Sequence, residues 1–182
     1  MSHGIDPTAA QRFRCLHSLG EADLEVLGRH LEPVQLASGQ VLFREGEAGD
    51  GAYLLLSGRV ELRIAVAGQG ERVLATLGKG SLFGEISPLL DEPRSATAIA
   101  RSAVWLWRLP APALRSAMDA GEAWVAKFLL ATVQVLAQRL IVMNQAVSDL
   151  IVELRQAETN PPAARVAELE NLRNRLNAEW SF

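Results

Sequence analysis

The sequence has few of the residues that build disulfide or metal frameworks. Its 182 residues contain one cysteine, Cys15, so an intrachain disulfide and a cysteine-rich zinc site are both excluded. The three histidines, His3, His17 and His30, do not have the spacing of metal ligands. The sequence also lacks a nucleophile elbow and a Walker loop. We therefore expect a protein without enzymatic activity, metal or cofactor.

Excess positive charge and uninterrupted apolar runs are absent as well. The 18 Lys and Arg residues face 21 Asp and Glu residues, and the net charge of −3 is unlike that of a general nucleic-acid binder. The first twenty residues have no apolar core of a secretory signal. The most apolar stretch, 128–143, is interrupted by Gln134, Gln138 and Arg139, so a membrane-spanning helix is not expected. These absences predict a cytoplasmic protein that does not insert into membranes.

Hydropathy patterns divide the chain into four segments. Leucines at helical spacing predict an N-terminal helical segment over 1–32. Short β-type runs separated by glycines predict an antiparallel β-roll or jelly roll over 33–120. A long helix over 121–157 and a short helical tail over 158–182 complete the predicted α+β fold, in which helices flank the β-roll. The β-type runs are 41–43, 53–56, 60–66, 73–77, 96–99 and 104–109.

A heptad pattern runs through the long helix. Its apolar residues are spaced 4-3-4-3-4-3-4, and they are Leu129, Val133, Leu136, Leu140, Met143, Val147, Leu150 and Leu154. Because so strict a period favours a straight partner helix, we predict a coiled coil that joins two copies of the chain. The alternative is a helix folded back on its own β-roll. Prolines in 158–162 are predicted to end the helix, and the tail beyond them has an apolar face that includes Val166 and Trp180.

One segment, 83–97, combines a Gly-Glu pair with a Pro-Arg-Ser sequence. Gly84 allows the backbone to approach a ligand closely, and Arg94 carries a planar, permanent charge that matches the geometry of a phosphate. Ser95 adds a hydroxyl donor, while Glu85 can accept hydrogen bonds from a sugar hydroxyl. Phosphate donors beside a ribose acceptor predict a nucleotide site. The alternative is a structural ion pair between Glu85 and Arg94.

This segment closely resembles the phosphate-binding cassette of the cyclic nucleotide-binding domain family. Residues 83–87 read Phe-Gly-Glu-Ile-Ser and residues 93–97 read Pro-Arg-Ser-Ala-Thr, with the spacing of the family. Upstream, 42–46 (Leu-Phe-Arg-Glu-Gly), the Gly-Asp pair at 49–50 with Tyr53, and 56–60 (Leu-Ser-Gly-Arg-Val) are similar to the family as well. The resemblance covers about residues 13–157 and implies a β-roll of the catabolite activator protein type with a dimerisation helix.

The resemblance implies a role for the cassette residues. Arg94 pairs with the cyclic phosphate and Glu85 holds the ribose 2′-hydroxyl. The amides of Gly84 and Ala96 and the hydroxyl of Ser95 complete the phosphate cradle. The ligand-binding set expected on the cassette is Phe83, Gly84, Glu85, Ile86, Ser87, Arg94, Ser95 and Ala96.

Five further residues are expected at the base end of the site. Leu62 and Leu74 match positions that line the base pocket in the family, and each also suits the core of a strand. Arg139 is expected to brace Glu85, with a solvated helix charge as the alternative. Met143 and Asn144 stand where the family has a Thr-Ser pair that meets adenine, which leaves adenine and guanine open. Asn144 is alternatively a polar residue that fixes coiled-coil register.

Pro88 is a second departure, because the family more often has Leu at this position. Proline removes one amide from the cassette. The loss weakens ligand binding if that amide faces the ligand, and it only stiffens the loop if the amide faces the protein.

The expected function is a stand-alone receptor for cAMP or cGMP. The tail has only 25 residues beyond the long helix and lacks the basic face of a DNA-recognition module, so DNA binding is not expected. The receptor is expected to form a homodimer and to signal to an unidentified effector protein through its long helix and tail. The alternatives are a dimerisation scaffold with a degenerate pocket, a receptor for a cyclic dinucleotide, and a truncated transcription factor.

Overall fold

The computed structural model describes residues 5, 7–68, 70–157 and 167 of the chain. These residues belong to two compact units, 1–132 and 133–182. The first unit contains the strands and the shorter helices. The described part of the second unit is almost entirely one helix. The predicted helix stop at 158–162 and the predicted apolar face of the tail lie outside the described residues.

The described elements alternate as the hydropathy pattern requires. The helices are α1 (Pro7–Ala10), α2 (Glu21–His30), α3 (Ile86–Leu90), α4 (Ala111–Asp119) and α5 (Ala123–Ala157), with a 3-10 turn at Arg14–Leu16. The strands are β1 (Glu32–Leu36), β2 (Val41–Phe43), β3 (Gly51–Ser57), β4 (Val60–Val66), β5 (Gly70–Leu77), β6 (Leu82–Phe83), β7 (Thr97–Ala100) and β8 (Val104–Pro110). Each of the six β-type runs coincides with a strand. β1 and β6 are additional, because neither carries a long β-branched run.

The strands form two four-stranded sheets. One sheet has the order β1-β8-β3-β6, and the other has the order β2-β7-β4-β5. Every neighbouring pair is antiparallel. The α+β fold class, an antiparallel β-roll with flanking helices and a long C-terminal helix, is confirmed.

Glycine makes the tightest corner of the β-roll possible. Gly58 joins β3 to β4 with φ of +89°, a backbone conformation that L side chains rarely adopt. A Cβ at this position would also collide with the carbonyl oxygen of Ala103. The short reversal between the two strands therefore depends on glycine, as the sequence spacing indicates.

Two hydrophobic cores stabilise the first unit. The first core joins the N-terminal helices, one face of the β1-β8-β3-β6 sheet and the first turns of α5. The second core lies between the two sheets. Adjacent residues of β3 face opposite ways, so that Leu54 belongs to the first core and Leu55 to the second. Both sides of this sheet are thus covered.

α5 begins as a core helix. Trp124, Val125, Phe128 and Ala131 of its first turns are buried in the first core. By length and composition alone, Ala123–Val152 is also apolar enough to cross a membrane, with a mean hydropathy of 1.6. Gln134, Gln138 and Arg139 do not prevent this match, and the expectation that the helix does not span a membrane stays a prediction. Core helices of soluble proteins meet the same criterion, and Trp124, with 1% exposure, is such a core residue.

Replacing Trp124 should reveal how far the first unit depends on α5. We expect Trp124→Ala to lower the free energy of unfolding by about 3–5 kcal/mol, because a large buried ring leaves a cavity. Urea unfolding monitored by circular dichroism measures the change. Trp105→Ala is the control, since Trp105 is 51% exposed on β8 and should cost at most about 1 kcal/mol. Equal losses in the two variants would contradict the assignment of Trp124 to the core.

Candidate functional site

The cassette is held between two strands. It leaves β6 at Phe83, passes through α3 and enters β7 at Thr97. Gly84 has φ of +70°, and a Cβ at this position would lie 2.8 Å from Nη1 of Arg94. Glycine is therefore required both for the backbone turn and for the close approach of the arginine.

Arg94 is a buried cation, with 3% exposure. Its Nη1 donates to the carbonyl of Gly84 at 2.7 Å, and its Nη2 donates to the carbonyl of Gly51 at 2.9 Å and to Oδ1 of Asp50 at 2.5 Å. The guanidinium carbon lies 4.2 Å from the ring centroid of Phe43 and 5.4 Å from that of Tyr53. Charge, hydrogen bonds and two aromatic faces together fix the position of this side chain.

One donor of Arg94 remains unsatisfied. Its Nε is buried and has no hydrogen-bond partner among the described residues. A buried donor without an acceptor costs about 1–3 kcal/mol, more for a charged group, and native proteins keep few of them. Such a donor on a permanent cation indicates an acceptor that a bound anion would supply.

Asp50 is the carboxylate partner of this cation. It accepts hydrogen bonds from the hydroxyl of Tyr53 at 2.9 Å and from Nη1 of Arg108 at 2.6 Å, in addition to Arg94. Burial opposes the charge of Asp50, but the hydrogen bonds from Tyr53, Arg108 and Arg94 outweigh burial and hold the pKa below its ordinary value of 3.8. Burial and the Asp50 carboxylate raise the pKa of Tyr53 to about 12. Asp50 is therefore ionised and Tyr53 neutral at neutral pH.

Sequence reasoning gave no role to Asp50 or Arg108. Asp50 and Tyr53 belong to the upstream resemblance, which assigns no contact to either residue. Arg108 lies on β8 opposite Tyr53 of β3, and this register brings it to Asp50. The Gly-Asp pair at 49–50 is the signal in the sequence that could have pointed to Asp50. Only the fold shows which cations its carboxylate faces.

The remaining cassette residues divide between buried and exposed positions. Phe83, Ala96, Ser87 and Glu85 are buried, and Glu85 takes part in a polar interaction. The hydroxyl of Ser87 donates to the carbonyl of Glu92 within the cassette. Of the predicted ligand-binding residues of the cassette, Ile86 and Ser95 are exposed.

Pro88 costs the cassette no helical hydrogen bond. It is the third residue of α3, and the N–H groups of a first helical turn have no partner within the helix. Its ring is buried. The amide that proline removes is therefore one that α3 itself does not use.

Leu62 and Leu74 lie on neighbouring strands of the second sheet. Leu62 is half-buried against the second core and pairs with Ala75. The next pair is Arg63 with Val73, so Leu74 is an extra residue without a partner on β4. A β-bulge of this kind redirects a side chain, and Leu74 is 58% exposed.

Arg139, Met143 and Asn144 belong to the second unit, whereas the cassette belongs to the first. Arg139 is exposed and takes part in an interaction, and Met143 is 45% exposed. Asn144 is half-buried, and within the described part of the chain its side-chain oxygen has no hydrogen-bond partner. Its backbone carbonyl accepts a hydrogen bond from the Ser148 hydroxyl at 3.0 Å.

Comparison with known proteins identifies the domain that carries the cassette. The model of the cyclic nucleotide-binding domain family matches residues 33–120. The chain is 33% identical over 128 residues to a CRP-like cAMP-activated global transcriptional regulator of Mycobacterium tuberculosis. That alignment covers 70% of this chain and 55% of the regulator, so the chain spans about half the length of this relative.

Solved structures show the same architecture. The catabolite activator protein of Thermus thermophilus superposes with a TM-score of 0.63 at 27% identity, covering 80% of this chain and 72% of that one. The regulatory domain of Toxoplasma gondii PKA, crystallised with cAMP, superposes with a TM-score of 0.55 at 27% identity, covering 63% and 46% of the two chains. Residues 33–120 therefore form a domain of the cyclic nucleotide-binding family, and the β-roll with its flanking helices has the architecture of the catabolite activator protein.

Proposed function

We propose that this protein is a receptor that binds a 3′,5′-cyclic mononucleotide, cAMP or cGMP, at the cassette. The buried Arg94, with its unsatisfied Nε, is the observation that carries the proposal. A cyclic phosphodiester bears one negative charge and has two free oxygens that can accept hydrogen bonds. Such a group supplies the acceptor that the Nε of Arg94 lacks, together with a negative charge that attracts the guanidinium.

The resemblance to the family supplies the other proposed contacts. Glu85 would accept from the ribose 2′-hydroxyl, and the Ser95 hydroxyl with the amides of Gly84 and Ala96 would complete the phosphate cradle. Leu62 and Leu74 would face the base. Arg139, Met143 and Asn144 of the long helix would bind at the base end. The related regulator is cAMP-activated and the related PKA domain was crystallised with cAMP, which supports this ligand class.

A receptor role fits the chemistry of the cassette better than catalysis. The guanidinium of Arg94 binds a phosphate but cannot accept a proton from water, because it stays charged. Asp50 is engaged by three donors, which makes it a poor general base. The proposed output is a conformational signal to a separate effector protein, transmitted through α5 and the tail, in the cytoplasm.

The exposed apolar face of α5 supports a homodimer. Val133, Met143 and Leu150 of the predicted seam are between 45% and 57% exposed in the single chain. Leu136, Leu140 and Val147 of the same seam are half-buried. A second copy of α5 would cover this seam by coiled-coil packing.

Nucleotide binding is tested by isothermal titration with cAMP and, separately, with cGMP. We expect micromolar or tighter binding of one of them to the wild type. Arg94→Ala should weaken that binding about 10- to 100-fold, because it removes a charge-assisted hydrogen bond of about 1.5–3 kcal/mol. Circular dichroism checks that the variant is folded, since Arg94 also links three segments of the backbone.

Arg115→Ala is the matched control for this titration. Arg115 is 55% exposed and pairs with Asp91 at 2.7 Å, so its removal should leave the affinity unchanged. An unchanged affinity in Arg94→Ala would place the phosphate elsewhere. Failure of the wild type to bind either nucleotide would reject the mononucleotide receptor in favour of a dimerisation scaffold or a cyclic dinucleotide receptor.

The dimer is tested by charge on the seam of α5. We expect Val133→Glu/Leu150→Glu to convert the dimer to a monomer in sedimentation velocity, because buried glutamates in a coiled coil repel each other and lose hydration. Gln134→Glu/Gln138→Glu adds the same charge to exposed positions outside the seam and should stay dimeric. A monomeric wild type, or a double seam variant that remains dimeric, would contradict the proposal.

A further inference from the structure

α2 is tied to the start of α5 by polar contacts at both of its ends. Near its N-terminus, Asp23 pairs with Lys127 at 2.5 Å. At its last residue, His30 contacts the carboxylate of Glu122 at 3.3 Å, and Trp124 donates its indole N–H to the same carboxylate. The His30 and Trp124 rings also pack with centroids 5.7 Å apart. The position of the first turn of α5 therefore depends on where α2 ends.

A second set of contacts joins the end of α2 to the cassette. Glu32 follows His30 by two residues and accepts from Arg108 at 2.6 and 3.0 Å. Arg108 in turn donates to Asp50 at 2.6 Å, and Asp50 accepts from Arg94. All of these residues belong to the first unit.

The two sets are joined by the backbone of residues 30–32. Together they form a path from the cassette cation through Asp50, Arg108 and Glu32, along the backbone to His30, and from there to the first turn of α5. Asp50 is shared between two arginines, so any anion that binds Arg94 competes with Asp50 for that charge. The Asp50 carboxylate, once it binds Arg94 more weakly, binds Arg108 more strongly. Arg108 in turn binds Glu32 less tightly.

We propose that His30 is a positioning residue, which couples the occupancy of the cassette to the first turn of α5 through Glu122. The inference rests on the proposed function, because it needs an anionic ligand at Arg94. Binding at the cassette loosens Glu32, and the end of α2 with it, so the contact between His30 and Glu122 opens. The first turn of α5 then exchanges its amide hydrogens faster.

Hydrogen exchange of the amides of 122–128, with and without saturating cAMP or cGMP, tests this coupling. In the wild type we expect the bound nucleotide to speed exchange about threefold or more, which corresponds to a shift of about 0.7 kcal/mol in local opening. In His30→Ala the nucleotide should still bind with an affinity within about threefold of the wild type, but it should no longer change the exchange of 122–128. A nucleotide-dependent change that persists in His30→Ala overturns the proposal.

Two further variants separate coupling from simple packing. His30→Gln keeps a side-chain N–H donor for Glu122 and should restore the nucleotide-dependent change. Lys127→Ala breaks the contact between Asp23 of α2 and Lys127 of α5, which lies outside the path from the cassette to His30. This variant should keep the nucleotide-dependent change in exchange. If Lys127→Ala abolished the change as His30→Ala does, His30 would have no special role.

A measurement without nucleotide distinguishes failure of this inference from failure of the proposed function. The unfolding equilibria of Glu32→Gln, Glu122→Gln and the double variant form a double-mutant cycle. If the contacts of Glu32 and of Glu122 near the C-terminal end of α2 are coupled, the unfolding constants should depart from multiplicativity by about two- to fivefold. A wild type that binds neither nucleotide contradicts the proposed receptor function, while the double-mutant cycle tests the coupling of Glu32 to Glu122 by itself. Multiplicative unfolding constants would contradict that coupling.

Discussion

The burial of one guanidinium organises the cassette and the strands around it. Arg94 has almost no access to water, so its charge must be balanced by groups that the fold brings to it. The carbonyl of Gly84 comes from one segment of the chain, and the carboxylate of Asp50 and the carbonyl of Gly51 come from another. Each of these segments is therefore held in place by the same cation. Lysine could not replace it, because a single ammonium cannot donate in these directions while lying flat on two aromatic rings.

The sequence predicts most of the β-roll because its local signals agree. Glycine corners and β-type runs alternate, and a strand that buries one or both faces keeps such a pattern. β6 escapes prediction, because Leu82–Phe83 is too short to show any period and is a strand only through its pairing with Tyr53 and Leu54. The bulge at Leu74 escapes as well. A one-residue offset between β4 and β5 leaves no trace in the composition of either strand.

The candidate site is predictable where its residues are adjacent in sequence and not where they converge from afar. The motif at 83–97 predicts the cassette, because Gly84, Glu85 and Arg94 lie close together in the sequence. The network around Asp50 joins positions 32, 50, 94 and 108, which come together only through the register of β1, β3 and β8. Spacing in sequence carries no information about that register. The seam of α5 is a third case, since a heptad pattern predicts a covered face but not what covers it.

Charge balance gives the network around Arg94 a direction. Arg94 and Arg108 are matched by Asp50 and Glu32, so the four groups are neutral together. An anionic phosphate at Arg94 would leave one carboxylate in excess, and that carboxylate must return to water. The side chain of Arg94 is only 1% exposed, whereas those of Asp50 and Glu32 are 46% and 52% exposed. Rehydration is therefore available at both carboxylates but not at Arg94, and the rearrangement proceeds away from the buried cation toward Asp50 and Glu32.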